Sequence, residues 1–393
     1  MKFRSLTSTE LDEVSVIREF SDELSTKKLA HLICYYTEDY QSSILQEQLL
    51  ASFPGISLHG CSTCHGVMTE RGFKEGPVVG VLAIYDLGSN AFGTGITSLE
   101  QSTSDAVTKS IDLALKNAGR EGEVPDLLLI HSTPGKEEQI LTSIDRKFGT
   151  KVPIIGGSAA DNKVTNSWSV FTEGGISSNA LSITAFFSSQ SIFTSLSSGH
   201  APTEYFGTAT KVEGRVLLEI NGEPAKNTYH EWTNQHTSDS GDSFLFERSN
   251  IYPIGRHVGT ELNKPYFKLS HPIRETDGGG IELFTDILEG DLLYLMSGCK
   301  EKLVSRSADI IKNSYYSGVE VESKLGAINI FCAGPMLYLK HDMQEVCNQI
   351  NQSLDGQPFI CPFTFGEQGR LAGGESSHGN LMVSSATFYR LKT

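Results

Sequence analysis

Two closely spaced cysteines and several histidines are the residues of this chain whose types and spacing could do chemistry. Cys61, Cys64 and His65 form the pattern Cys-x-x-Cys-His, which is typical of covalent c-type haem attachment. Covalent attachment requires export to an oxidising compartment, and the residues after Met1 lack the apolar core of a signal peptide. We therefore expect no covalent haem. A redox or metal role for the pair stays open, although no second pair completes a four-cysteine zinc site.

Signatures of common enzyme classes are absent. The sequence contains no Gly-x-Ser-x-Gly nucleophile elbow, no His-Glu-x-x-His pair and no Walker-type phosphate loop. The glycine-rich stretch 276–280 is followed by neither Lys-Ser/Thr nor a helical pattern, so we predict a hairpin turn there. We expect no enzymatic activity. The alternative from the enzyme class is a redox catalyst or hydrolase that uses Cys61 and Cys64.

Composition limits the environment and the partners. A net charge of −15 argues against a general nucleic-acid binder, because phosphate neutralisation needs a basic face. No stretch reaches the ~18 apolar residues of a membrane span. The seven cysteines are odd in number and scattered, which favours reduced buried thiols over a disulfide framework. We expect a cytoplasmic protein, and the oligomeric state stays open, with a homodimer among the options.

One supersecondary unit occurs three times in the chain: a strand, a helix, a strand, a loop and a strand. The first strands of the three copies begin with residues 32–36, 127–131 and 327–331. Their helices carry the same apolar stripe at i, i+4 and i+8: Leu45/Leu49/Phe53, Ile140/Ile144/Phe148 and Val346/Ile350/Leu354. Such recurrence fixes the architecture. It predicts an α+β fold of mixed sheets that carry helices.

The segment between the second and third copies predicts the domain organisation. Residues 195–205 are rich in Ser, Gly and Pro, so we place a connection there and predict domains at 1–198 and 199–393. After it, Asn221-Gly222 predicts a hairpin. The remaining expected elements are a β-like stretch over 206–220, a helix over 224–234, a mobile loop over 234–250, strands at 266–271, 280–284 and 290–296, and a helix over 300–316.

With these copies placed, the chain resembles the FIST family of intracellular sensory proteins. The resemblance spans nearly all of residues 30–390, in order. The matching motifs are Gly60-Cys-Ser-Thr63, Gly156-Gly-Ser-Ala-Ala-Asp161, Glu219-Ile-Asn-Gly-Glu-Pro-Ala225, Phe331-Cys-Ala-Gly334, Phe363-Thr-Phe-Gly-Glu367 and His378-Gly-Asn-Leu381. Each motif alone is weak, since it consists of glycines, small residues and at most a carboxylate or two.

The resemblance implies a ligand-binding sensor that acts with a signalling enzyme. Amino acids and other small molecules are the ligands proposed for the family. One branch of stand-alone proteins of about this length binds haem and senses nitric oxide, and then controls a partner histidine kinase. No kinase, receiver or cyclase signature follows in this chain, so we expect a stand-alone sensor. Its expected partner is a histidine kinase or an enzyme of cyclic-di-GMP signalling.

Two departures from the family pattern affect the ligand. Cys64-His65-Gly66 stands where the family commonly has a small residue, Gly and Glu, and Pro335 stands where it commonly has Arg. Glu and Arg would be the natural partners of an ammonium and a carboxylate group. Their absence argues against an amino-acid ligand. Haem with nitric oxide as the sensed gas is the version we favour, and the alternative is an amino-acid or metabolite sensor without haem.

Non-covalent haem b needs an axial ligand, most often His, in an apolar pocket. His271 is the first choice, because it ends an amphipathic strand and Pro272 stiffens the chain after it. Arg256 would pair with a haem propionate. The candidate haem-binding residues are His271, His257, Arg256, His378, His200, Tyr266 and Phe267, with His271 as the ligand of the iron. Any one of these histidines is more often an ordinary hydrogen-bonding residue.

The third copy carries a further polar group in its loop. Gly366, Glu367 and Arg370 either face a ligand or form a turn with solvated charges. The sequence alone leaves these two interpretations equal.

Overall fold

The computed structural model describes residues 1–86, 91–100, 102–234, 245–261, 264–312, 320–371 and 376–392. Within them the fold is α+β with mixed sheets, as predicted. Each repeat unit is longer than the sequence indicated, because an edge strand and a helix precede the predicted block. The common order is strand, helix, strand, helix, strand, two-stranded hairpin and strand.

The first two repeat units follow each other directly. The first consists of β1 (Lys2–Ser8), α1 (Glu13–Glu23), β2 (Leu29–Tyr36), α2 (Ser42–Ser52), β3 (Ser57–Ser62), β4 (Gly66–Thr69), β5 (Gly72–Glu75) and β6 (Val79–Tyr85). The second consists of β7 (Phe92–Ser98), α3 (Thr103–Asn117), β8 (Leu127–Ser132), α4 (Glu137–Phe148), β9 (Ile154–Ser158), β10 (Val170–Thr172), β11 (Gly175–Ser177) and β12 (Ala180–Phe186).

The third unit is interrupted after its edge strand, β13 (Ser191–Ser198). The insertion comprises β14 (His200–Glu213), β15 (Val216–Ile220), β16 (Glu223–Pro224), α5 (Ala225–Asn234), α6 (Leu245–Ile251), β17 (Ile254–Glu261), β18 (Lys264–Ser270), β19 (Pro272–Glu275), β20 (Ile281–Leu283) and β21 (Leu292–Gly298). The unit resumes with α7 (Lys300–Lys312), β22 (Val321–Cys332), α8 (Ala333–Tyr338), α9 (Met343–Ser353), β23 (Phe359–Thr364), β24 (Glu367–Arg370), β25 (Ser376–Gly379) and β26 (Met382–Leu391). Short 3-10 turns lie at Gly149–Lys151 and Lys340–Asp342.

The units exchange their hairpins in a cycle. Each unit contributes four strands to its own sheet, and its hairpin completes the sheet of another unit. The strand orders are β1-β6-β2-β3-β10-β11, β25-β24-β9-β8-β12-β7 and β13-β26-β22-β23-β4-β5. Strands before residue 198 therefore pair with strands after residue 320. The domain boundary at 198/199 stays a prediction.

The central strands are buried on both faces, which explains their uninterrupted apolar sequences. In β2, Ile33 and Tyr35 face a core shared by the three sheets, whereas Leu32 and Cys34 pack under the unit's own helices. β8 and β22 alternate in the same way between the shared core and their own helices. The predicted helix stripes are confirmed by burial of Leu45, Leu49, Ile140, Ile144, Val346 and Ile350.

The insertion forms a separate sheet, called the inserted sheet below, with the order β18-β17-β21-β14-β15-β20-β19 and β16 beside β15. The predicted hairpin after β15 is confirmed, since Asn221 and Gly222 both have positive φ angles (55° and 84°), as a type I′ turn requires. The turn predicted over 276–280 joins the antiparallel strands β19 and β20.

Two of the element predictions are wrong. The stretch 195–205 is strand rather than connection, because β13 pairs with β26 up to Ser198 and β14 starts at His200. The loop predicted over 234–250 contains α6, while 235–244 lie outside the described residues. The helix predicted to residue 316 is described up to Lys312. In the described part of the chain no helix has the length and apolarity to cross a membrane.

Candidate functional site

A cavity of about 70 Å³, partly open to solvent, lies where the three repeat units meet the inserted sheet. Its wall is formed by Cys64, Asn162, Val164, His271, Phe284, Cys332, Ala333, Gly334, Leu337, Phe365, Gly366 and Asn380. Three wider depressions of about 440 to 580 Å³ on the described surface are open to solvent, and none touches this wall. The cavity is therefore the candidate ligand site.

Equivalent loops of the three units converge on this cavity. Cys64 follows β3, Asn162 and Val164 follow β9, and Phe365 and Gly366 follow β23. Because the hairpins are exchanged in a cycle, the ends of these second strands meet at one place. The motifs that carry the family resemblance supply or adjoin most of the wall, so one cavity accounts for most of those separate signals.

The inserted sheet closes the remaining side. His271 lies directly after β18, and Phe284 lies directly after β20. A backbone hydrogen bond from Asn380 N to Leu269 O (3.0 Å) fixes this part of the sheet to the third unit. A ligand in the cavity would thus contact both the repeat units and the inserted sheet.

Two asparagines of the wall use their carboxamide oxygens to hold backbone. Asn162 Oδ1 accepts from His65 N at 2.7 Å, and Asn380 Oδ1 accepts from His271 N at 3.2 Å. In both residues the Nδ2 group makes no hydrogen bond to another described residue. The polar groups that these side chains still offer are therefore donors.

His271 is buried and its ring already has a partner. Its Nε2 lies 2.8 Å from Ser249 Oγ, and that hydroxyl donates to Pro272 O at 3.2 Å. The hydroxyl proton is thus directed at the carbonyl, so the imidazole Nε2–H donates to the serine oxygen. The predicted haem ligand does line the cavity, although its Nε2 is engaged with protein.

Glu367 stands directly behind the wall and is fully buried. Its carboxyl group accepts from Thr364 Oγ1 at 3.0 Å and from Met382 N at 3.1 Å. Burial raises the pKa of Glu367 well above its ordinary value, and burial together with Glu367 raises that of the Cys332 thiol. Of the three residues noted in this loop, Gly366 lines the cavity, whereas Arg370 pairs with Asp145 at 3.4 Å away from it.

His378 lies behind Gly366, with its ring buried. Its Nδ1 is 3.2 Å from Gln368 Nε2, so Nδ1 accepts and Nε2 carries the proton. No described group receives that proton. A side chain at residue 366 would place Cβ 2.4 Å from His378 Cε1, and φ is +98° there, so glycine is required.

The other predicted haem-binding residues lie elsewhere. Arg256 is directed at Asp291 (3.3 Å) rather than at a ligand, and His200 donates from Nε2 to Asn250 O (2.8 Å). His257 is exposed, with its ring 5.7 Å from that of Phe267. Tyr266 packs against a small cluster of Leu196, Leu371 and Met382. These residues do not surround a common space with His271.

With the side chains in these positions, the cavity is too small to hold haem. A cofactor site is usually a cleft of roughly 300 Å³ or more, whereas this cavity measures about 70 Å³. The Nε2 atom of His271 is also occupied by Ser249. Haem b therefore stays a prediction from the family resemblance, and no step of the function below depends on it.

The cysteine pair is divided between two environments. Cys61 is fully buried and its thiol donates to Ser62 O at 3.4 Å, whereas Cys64 lines the cavity. Burial raises the pKa of Cys64 to about 12 and that of Cys61 well above its ordinary value. A thiolate nucleophile is thus disfavoured at neutral pH. Among the described residues no cluster of three or more metal-binding side chains is present.

A buried group of charges joins α4 to the inserted sheet. Arg215 of the loop before β15 donates from Nη2 to Glu137 (2.8 Å) and Glu138 (2.9 Å). Its Nε binds Asp286 at 2.8 Å, and its Nη1 binds Phe284 O at 2.8 Å. Phe284 lines the cavity and its carbonyl oxygen binds Arg215, so this group of charges contacts a residue of the candidate site directly. The sequence carries no signal for this cluster, because its members are far apart in the chain.

The loop of residues 161–167 covers one side of the cavity and is held chiefly by one carboxylate, that of Asp161. Asp161 is fully buried and accepts hydrogen bonds from the backbone N–H groups of residues 163, 164, 165 and 167. Val164 in this loop has φ of 55° and is 56% exposed. A β-branched residue in the left-handed region is strained, and such strain is frequent at ligand sites.

Val164→Asn tests this strain. Asparagine tolerates the left-handed conformation, so we expect the substitution to increase the free energy of unfolding by about 1 kcal/mol. Urea denaturation would measure the change. Val124→Asn is the control, because Val124 is also exposed (63%) and has no positive φ. Equal effects of the two substitutions would contradict strain at Val164.

Comparison with known proteins agrees with the convergence of motifs. The FIST N domain matches residues 30–223 and the FIST C domain matches residues 225–370. The chain therefore belongs to the FIST family, whose members are sensory domains. An uncharacterized protein of Methanocaldococcus jannaschii is 27% identical over 192 residues, which cover 45% of this chain and 35% of that protein. The chain thus matches about a third of the length of this relative.

Proposed function

We propose that the protein is a sensor whose small ligand occupies the cavity between the repeat units and the inserted sheet. The observation that carries the proposal is the convergence of the loops after β3, β9 and β23 on one cavity. A cleft or cavity with a few convergent polar groups is the usual form of a small-molecule site. Family membership supports the sensory role.

Occupancy of the cavity would be transmitted through the inserted sheet. Two wall residues, His271 and Phe284, directly follow strands of that sheet, and the others belong to the repeat units. A ligand that contacts both parts favours one arrangement of the sheet over another, and a partner enzyme can detect the difference. The partner we propose is a histidine kinase or a cyclic-di-GMP enzyme, as in the family.

The haem version is a separate candidate, favoured by the position of His271 in the wall. It requires that the cavity open and that Ser249 release the imidazole. An absorbance spectrum after expression with added haem tests it, since a Soret band that His271→Ala removes would support it. Absence of the band would leave the small-ligand proposal intact, because that proposal uses no metal.

Trp168 offers a direct reporter of occupancy. Its ring lies 6.2 Å from that of Phe365, which lines the cavity, and the second tryptophan, Trp232, lies on α5 and is buried against the inserted sheet. In a Trp232→Phe background, fluorescence therefore reports the cavity alone. We expect at least one compound of a small-metabolite screen to change this fluorescence in a saturable manner.

Blocking the cavity should abolish the response. Leu337 lies at the rim and is 36% exposed, so Leu337→Trp adds bulk without disturbing the core. Here the readout is thermal stabilisation by the compound, since the substitution introduces a new fluorophore. Tyr338→Trp is the matched control, because Tyr338 is exposed in the same helix and does not line the cavity. Stabilisation that survives in Leu337→Trp would contradict the proposed site.

A further inference from the structure

We infer that the ligand of this cavity is an uncharged molecule of about three to five non-hydrogen atoms that accepts hydrogen bonds, such as a small amide or ketone. The inference rests on the proposed function and specifies its chemistry. Size, hydrogen bonding and charge each limit the ligand independently.

The volume limits the size. About 70 Å³ is available, roughly half the volume of a cavity of about 150 Å³ that binds benzene. An organic molecule of a few non-hydrogen atoms fills such a space. The apolar side chains of Phe284, Phe365 and Leu337 form much of the wall and suit the carbon atoms of an organic molecule.

The two asparagine side chains of the wall offer donors. Asn162 and Asn380 have committed their oxygens to backbone N–H groups, so each presents its Nδ2 group. A buried donor without an acceptor is costly. A ligand carbonyl oxygen would accept from these Nδ2 groups, whereas the buried Nε2–H of His378 lies behind Gly366 and outside the wall.

The charged and polar groups around the cavity argue against both an anionic and a cationic ligand. The described wall contains no Lys, Arg, Asp or Glu side chain. Asp161 and Glu38 lie just outside it, where they bind backbone N–H groups of the 161–167 loop. These carboxylates disfavour an anion near Cys64, and the Nδ2–H groups disfavour a cation. An uncharged hydrogen-bond acceptor is repelled neither by the carboxylates nor by the Nδ2–H groups.

Acetamide, acetate and acetamidinium test the inference directly, because they share one shape and differ in charge. Titration of the Trp232→Phe protein over roughly 0.01 to 100 mM covers the affinity that four non-hydrogen atoms can give. We expect acetamide to bind at least tenfold more tightly than either ion. Acetate or acetamidinium binding as tightly as acetamide would overturn the inference.

Asn162→Asp supplies the second test. It keeps the oxygen that accepts from His65 N and removes the Nδ2 donor, so acetamide affinity should fall at least tenfold. Asn166→Asp is the control, since Asn166 is exposed in the same loop and does not line the cavity. Unchanged acetamide affinity in Asn162→Asp would contradict the donor role.

The outcomes separate this inference from the proposed function. If acetate or acetamidinium binds and Leu337→Trp abolishes that binding, the cavity is the site and the ligand class is wrong. If acetamide binds in a way that Leu337→Trp does not affect, the site itself is wrong. If none of the three probes binds, the ligand class is wrong, and the metabolite screen decides the proposed function separately.

Discussion

Arg215→Ala is expected to lower the free energy of unfolding by about 3 kcal/mol. Arg215 holds Glu137, which is 2% exposed, and Glu138 at the junction between α4 and the inserted sheet. Burial opposes ionisation of Glu138, yet its pKa is lowered to about 2, with His378, Lys268 and Arg215 favouring the charged form. Without the guanidinium, two carboxylates remain in a poorly solvated place with Lys268 as their nearest cation.

Urea denaturation would measure this loss, and hydrogen exchange would show where it acts. We expect faster exchange in the inserted sheet than in the repeat units, because the lost contacts join the two. Arg274→Ala is the matched control, since Arg274 pairs with Glu282 in the same sheet but its side chain is 71% exposed. An exposed pair contributes about 0 to 1 kcal/mol. Similar effects of the two substitutions would contradict a structural role for the buried cluster.

Acidification from pH 7 to pH 5 is expected to destabilise the protein by about 2 kcal/mol for each buried histidine that stays neutral in the folded state, and a cluster of three supplies about 6 kcal/mol of this loss. His31, His59 and His131 are fully buried between the sheets of the first two units. His59 Nε2 lies 2.8 Å from His131 Nδ1, and His131 Nε2 lies 3.3 Å from the Tyr35 hydroxyl. Two neighbouring rings at this distance cannot both be protonated without strong repulsion.

The direction of the pH effect follows from the pKa values. Burial lowers the pKa of His31 and His131 from 6.5 to about 3, and burial and His131 lower that of His59 well below 6.5. Below pH 6.5 these three histidines bind protons in the unfolded chain but stay neutral in the folded chain. Stability is therefore present above pH 6.5 and is lost as the pH falls toward 3.

Urea denaturation at pH 7, 6 and 5 would measure the effect. His131→Gln should remove about 2 kcal/mol of the pH dependence, and His257→Gln, at an exposed position, is the control for the substitution itself. A free energy of unfolding that stays constant from pH 7 to pH 5 would contradict the burial of these three rings.

The repeat could be predicted from the sequence because its signals are local. The apolar stripe of Leu45 and Leu49 and the turn at Asn221-Gly222 depend on residues close in the chain. The exchange of hairpins is not local. β4 pairs with β23 about three hundred residues away, and neither strand carries a feature that specifies its partner.

The candidate site was predicted in part. His271 lies in the wall, and its position after an amphipathic strand was the useful signal. The sequence suggested that Arg256 pairs with a haem propionate. In the structure Arg256 lies beside Asp291, because the pairing of β17 with β21 brings these two residues together, and that pairing is not visible in the sequence. Asn380 belongs to a motif noted in the sequence, yet nothing there indicated that its oxygen would bind His271 N.

A crystal structure of the full chain soaked with acetamide would test the central claim most directly. The account predicts density for one acetamide molecule in the cavity, with its carbonyl oxygen within hydrogen-bond distance of Nδ2 of Asn162 or Asn380. It is contradicted if the cavity stays free of acetamide at a concentration that saturates the fluorescence change in solution.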